Sequence, residues 1–142
     1  MIEALTPQQA LDMYRANIEQ FDQAAPMLVA DDGEQIGFTQ IADMEVADGL
    51  AQMVLDGSRY HAVLLSAETR VTSYDLHTGQ AETEGPVDAA MFTYADANGK
   101  TWSALQRFMR VNGKVTYLGD LEVSDLGFGA VQDRLRQLVG AR

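Results

Sequence analysis

The sequence predicts an α+β fold: an antiparallel sheet of about five strands, packed by N-terminal, middle and C-terminal helices, with a small hairpin besides. Three observations carry this. Two Asn-Gly pairs, Asn98-Gly99 and Asn112-Gly113, join three consecutive strand-like segments into a meander, and Asn-Gly supplies the positive φ values of tight two-residue turns. Apolar residues recur at helical spacing near both ends of the chain. No repeat, low-complexity tract or long linker interrupts the 142 residues, so residues 1–142 read as one domain, long enough to bury a core without cross-links.

Thr6-Pro7-Gln8-Gln9 predicts a helix start: Thr6 caps, Pro7 sits where its missing N–H costs nothing, and Gln9 closes a capping box. Leu11, Tyr14, Ile18 and Phe21 form its apolar stripe, and the helix should stop near Ala24, before Pro26. Met27 to Phe38 predicts a hairpin turning at Asp32-Gly33, with Val29 facing Ile36 and Met27 facing Phe38. A second helix is expected from Asp43 to Leu55, ended by Asp56-Gly57. Strands are expected at Tyr60–Ser66, Thr69–Leu76, Val87–Ala95, Thr101–Val111 and Lys114–Leu121, with a loop from His77 to Pro86. A last helix, Phe128 to Val139, presents Phe128, Val131, Leu135 and Leu138 on one face.

Two-residue turns in the meander would set Phe108 opposite Tyr117, Arg110 opposite Val115 and Ala95 opposite Trp102. One face then holds Val87, Met91, Ala95, Trp102, Phe108, Val115, Tyr117 and Leu121, a floor for helices. The other mixes Phe92, Tyr94, Leu105, Met109, Val111 and Leu118 with Arg107, Lys114, Thr116 and Asp120, and is too apolar for a plain solvent face. The sheet is strongly twisted or covered on both sides, or this face is a homodimer or partner surface, or the sheet curves around a ligand pocket under the long helix. The last arrangement resembles, in architecture alone, the cone-shaped folds of small isomerases and polyketide cyclases.

Charge is the most informative feature. The chain has 10 Lys+Arg against 21 Asp+Glu, a formal net charge of −11. Between Arg15 and Arg59 there is no Lys or Arg but nine acids: Glu19, Asp22, Asp31, Asp32, Glu34, Asp43, Glu45, Asp48 and Asp56. From Lys100 onward the balance reverses to +3. Such a chain should present one acidic side, which speeds encounter with a basic surface and discourages nucleic acid and anionic lipid. Acids also suit solubility, helix N-termini and turns, the plain structural alternative.

Catalytic and metal signals are weak. Cysteine is absent, which removes thiol chemistry and Cys-ligated zinc, and there are only two histidines. Asp96-Ala97-Asn98-Gly99 starts like a calcium loop, but its glycine comes too early and Arg107 stands where a bidentate Glu is needed. No nucleophile elbow, phosphate-binding loop or dinucleotide fingerprint occurs. No metal or cofactor is expected, apolar runs are too short for a membrane span, and Met1 to Leu5 lacks the pattern of a secretory signal.

The expected function is therefore a non-enzymatic, cytoplasmic, acidic protein-binding module of inhibitor, immunity-protein, antitoxin-like or chaperone type. It would engage a basic partner through Asp31, Asp32, Glu34, Asp43, Glu45 and Asp48, with Phe92, Tyr94 and Arg107 as an aromatic–Arg hot spot. Self-association is expected through the second sheet face. The alternative is a small-ligand binder or isomerase-like enzyme, its pocket between the first helix and a curved sheet. There His61, paired with Asp75 across a hairpin as a general base, and Tyr14 and Trp102 would be the residues of interest.

Overall fold

The computed structural model describes residues 5–22, 24, 26–40, 50, 52, 53, 55–57, 59–72, 77, 78, 80, 87–124 and 130–140. Helix α1 spans Pro7–Gln20, and the expected capping box is in place: the Thr6 hydroxyl accepts from Gln9 N, and Gln9 Oε1 from Thr6 N. The helix ends earlier than its apolar spacing suggested. Phe21 is already extended and 54% exposed, so Ala10, Leu11, Tyr14 and Ile18 form the buried stripe instead.

Among the described residues six strands follow: β1 (Met27–Asp31), β2 (Ile36–Gln40), β3 (Ala62–Val71), β4 (Val87–Asp96), β5 (Thr101–Val111) and β6 (Lys114–Ser124). They form one antiparallel sheet in the order β2-β1-β3-β4-β5-β6. The sheet exceeds the expected count because β1 pairs with β3, drawing the hairpin into it. The expected strands Tyr60–Ser66 and Thr69–Leu76 are instead one ten-residue strand. Glu68 and Thr69 lack turn chemistry and carry the ladder straight through, so the expected hairpin between the two segments is not formed. Helix α2 spans Ala130–Leu138. Of the expected Asp43–Leu55 helix, Leu50, Gln52, Met53 and Leu55 are described and are helical; Val46 and the other residues from 43 to 49 lie outside the described residues, as does Phe128.

Two registers differ from expectation, with opposite consequences. In the first hairpin Asp31 pairs with Ile36 and Val29 with Phe38. Asp32 Oδ1 accepts from both Glu34 N and Gln35 N, moving the tip to Gly33-Glu34. The slip is two residues, so every backbone position keeps its face. In the β4–β5 turn Ala95 pairs with Thr101 and Tyr94 with Trp102. Asp96 Oδ1 accepts from Asn98 N and Lys100 N, holding a longer loop than Asn98-Gly99 alone would make. That slip is one residue and turns β4 over. Phe92 and Tyr94 therefore share the face of Trp102 and Phe108, whereas Met91 and Ala95 lie on the other. The Asn112-Gly113 turn matches expectation: both residues have positive φ (52° and 78°), and Phe108 meets Tyr117 and Arg110 meets Val115.

The first face packs under α1. Tyr14 meets Phe92 edge-on with centroids 6.0 Å apart, Tyr94 stacks on Trp102 at 5.3 Å, and Trp102 Nε1 donates to Leu5 O at 3.1 Å. The second face is covered at the β1–β3–β4 end. There Leu28, Val63, Leu65 and Ala95 pack with Leu50 and with Leu135 and Leu138 of α2. Farther along β5, Met109 and Val111 are 46% and 51% exposed. Among the described residues no helix is long and apolar enough to cross a membrane.

Candidate interaction surface

Charged groups gather in two places. The first is the end of α1. Arg110, on the α1 face of β5, donates from Nη1 to Glu68 Oε1 (2.6 Å) and from Nη2 to Glu68 Oε2 (3.1 Å) and Ile18 O (2.9 Å). Its guanidinium lies 4.9 Å from the Phe108 ring centre and 3.9 Å from Asp88 Oδ2. Glu68 Oε2 also accepts from Ala24 N at 2.8 Å. Beside this joint a cleft of about 330 Å³ is lined by Asp22, Glu68, Thr69, Arg70 and Asp88. Burial, then the Glu68 charge, push the Tyr14 hydroxyl well above its ordinary value, and the Glu68 hydrogen bond raises Arg110. Three carboxylates and two guanidiniums can neutralise one another or hold a small polar molecule, but Glu68 and Arg110 are already engaged.

Sequence reasoning missed this cluster. Its signal was a single acid, Glu68, and a single cation, Arg110, at inward positions of largely apolar strands. The two strands are separated by β4, so only the sheet order and register bring the pair together.

The second place is the edge made by β1 and β2. Asp31 is fully buried and its Oδ1 accepts from Gly33 N, so it shapes the turn and offers no face to a partner. Gly33 has φ +96°, and a Cβ there would fall 2.5 Å from His61 Cδ2, so backbone and neighbour both require glycine. Asp32 is half-buried, holding the turn through Oδ1, and Glu34 is exposed at the tip. Beside the hairpin lies a groove of about 160 Å³ whose lining includes Leu28, Ala30, Gly37 and Met53, together with Asp32 and Gln35.

The remaining expected site residues divide. Asp43, Glu45 and Asp48 lie outside the described residues, as does Asp75. Phe92 and Tyr94 are fully buried, which corrects their placement as an exposed hot spot: the one-residue slip carried them into the core. Arg107 is on the opposite face from them, 3.6 Å from Glu122. Tyr14 and Trp102 are buried in packing, and the space lined by Met13, Tyr14, Met27, Val29, Leu64 and Ser66 amounts to about 30 Å³, room for roughly one water. His61 lies at the head of β3, against Gly33. Among the described residues no group of three or more His, Asp or Glu is placed to hold a metal ion.

An open antiparallel sheet with helices on both faces defines the class of this molecule as α+β. The chain matches no protein-family model, and comparison with curated proteins and with solved structures finds no match to either.

Proposed function

We propose that the protein is a non-enzymatic acidic binding module that engages a basic protein partner. The observation behind this reading is the sheet order. The stretch with nine acids and no cation supplies β2 and β1, one edge of the sheet, whereas Arg107, Arg110 and Lys114 belong to β5 and β6 at the other. From β2 to β5 is four strand spacings, about 19 Å, well beyond a Debye length at physiological salt. Exposed Glu34 and Asp56, both from that stretch, bring negative charge to the surface and support the reading.

The test is affinity capture at low salt from the source cell, then association kinetics of the captured partner. Basic proteins should elute as salt rises, and the variant D43K/E45K/D48K should associate several-fold more slowly with little change in dissociation. A neutral or acidic partner, or an unchanged association rate, would refute the reading. Self-association through the second face remains part of the proposal, since Met109 and Val111 leave apolar surface beyond the reach of α2; sedimentation at rising concentration tests it.

The small-ligand reading has one observation in its favour. The cleft beside Asp22, Glu68 and Asp88 reaches the lower end of ligand-pocket volumes. A charge-neutralising double variant, D22N/D88N, should abolish binding of any such ligand.

A further inference from the structure

Among the described residues β2 is paired on one side only, to β1. Edge strands normally carry a guard against further pairing: a proline, a lysine, an inward charge or a bulge. Ile36–Gln40, reading IGFTQ, has no proline and no charged residue, and its ladder with β1 runs without a bulge. Alternate residues of such a strand turn their N–H and C=O groups outward. The groove of about 160 Å³ adjoins the same strand and is lined in part by Gly37, where a side chain has room: a Cβ there would meet nothing nearer than Ala30 O, at 4.0 Å. Glu34 is exposed just before the strand.

We propose that β2 takes up an extended basic segment of the partner protein as an additional antiparallel or parallel strand. This rests on the acidic-module reading and specifies how the partner is held. Backbone hydrogen bonds supply the common part of the affinity, and every second side chain of the added strand reaches one face. An apolar residue there fills the groove between Gly37 and Met53, while Lys or Arg meets Glu34. Charge selects this occupant over a second copy of the chain. Two copies joined at β2 would bring together the exposed Glu34 of each, in strands drawn from a stretch that carries no cation between Arg15 and Arg59, and facing like charges are destabilising.

The test uses the full chain and a short labelled peptide alternating Val and Lys. Three comparisons accompany it: the same peptide N-methylated at every residue, a Val–Glu version, and the variant Gly37→Val, whose side chain suits a strand and occupies the groove. The Val–Lys peptide should bind in a salt-sensitive manner and slow hydrogen exchange at β2 amides. The N-methylated and Val–Glu peptides should bind many-fold more weakly. Gly37→Val should weaken the Val–Lys peptide several-fold with an unfolding midpoint no lower than wild type. Equal binding of the N-methylated peptide, or unchanged exchange at β2, overturns strand addition while leaving the acidic module standing on electrostatics alone. Failure of the Val–Lys peptide to bind at low salt overturns it too, and the kinetics of D43K/E45K/D48K then decide the broader reading separately. Concentration-dependent protection of β2 without peptide also overturns the proposal, by showing a second copy on the edge.

Discussion

Arg110 reaches two acceptor residues at once, a carboxylate on β3 and a main-chain carbonyl in the last turn of α1. It is the joint that fixes the end of the helix to the sheet. Glu68 and Arg110 side chains are only 6% and 16% exposed, so removing one partner leaves the other buried without compensation. Arg110→Met should cost about 3–5 kcal/mol in urea unfolding, and E68M/R110M should regain much of that loss. A single-variant loss under about 1 kcal/mol, the range of exposed ion pairs, would show the joint to be a surface pair. Tyr14, buried over the same joint, gives a pH signature. The folded state holds its proton more tightly than the unfolded chain, whose value is near 10.0. The stability linked to it is therefore complete below that value and lost as pH rises above it. Wild type should lose stability from about pH 10 upward, and Tyr14→Phe should flatten that fall; equal slopes would assign the effect elsewhere, Tyr117 being the next candidate.

Elements were legible where local chemistry decides them and illegible where a distant partner does. The α1 start followed from Thr6, Pro7 and Gln9, and the β5–β6 register from Asn112-Gly113, because each device acts within a few residues. The β4–β5 register did not follow from Asn98-Gly99, because buried Asp96 outcompetes the two-residue turn. Its carboxylate accepts from Asn98 N, Lys100 N and the Tyr94 hydroxyl (2.9 Å). That one side chain decides which face Phe92 and Tyr94 occupy, and so removed the expected hot spot. The Glu68–Arg110 joint was unreadable for a related reason: it spans 42 residues and two strand intervals. The hairpin tip shows the milder case, a two-residue slip that leaves each residue on its expected face. Asp96→Ala strands three donors, one of them the buried Tyr94 hydroxyl, and should cost about 2–3 kcal/mol by chemical unfolding. Asp96→Asn keeps a carbonyl oxygen for the turn and should lose less. Equal losses would mean that charge, not turn geometry, holds Asp96 in place.

At the scale of the whole molecule, sheet order sets β1 and β2, drawn from the cation-free stretch, at one edge and the strands carrying Arg107, Arg110 and Lys114 toward the other. A formal charge of −11, with nine acids and no cation between Arg15 and Arg59, carries self-repulsion that packing must overcome. Salt screens exposed charges far more than buried pairs. The crowded acids therefore gain from added salt, whereas Glu68–Arg110 loses little. Raising sodium chloride from a few millimolar toward physiological strength should lift the urea midpoint of wild type. D43K/E45K/D48K, which exchanges three acids for three cations within the crowded stretch, should show a visibly shallower rise. Three matching acid-to-Lys exchanges in and just after β6, D120K/E122K/D125K, serve as the control: they change net charge equally, relieve no repulsion beside Arg107 and Lys114, and should leave the salt slope close to wild type. If both triple variants flatten the slope equally, net charge alone governs it and the acids have no privileged side. If only the first does, the field is directional, which is the physical condition that a basic partner approaching the β2 edge requires.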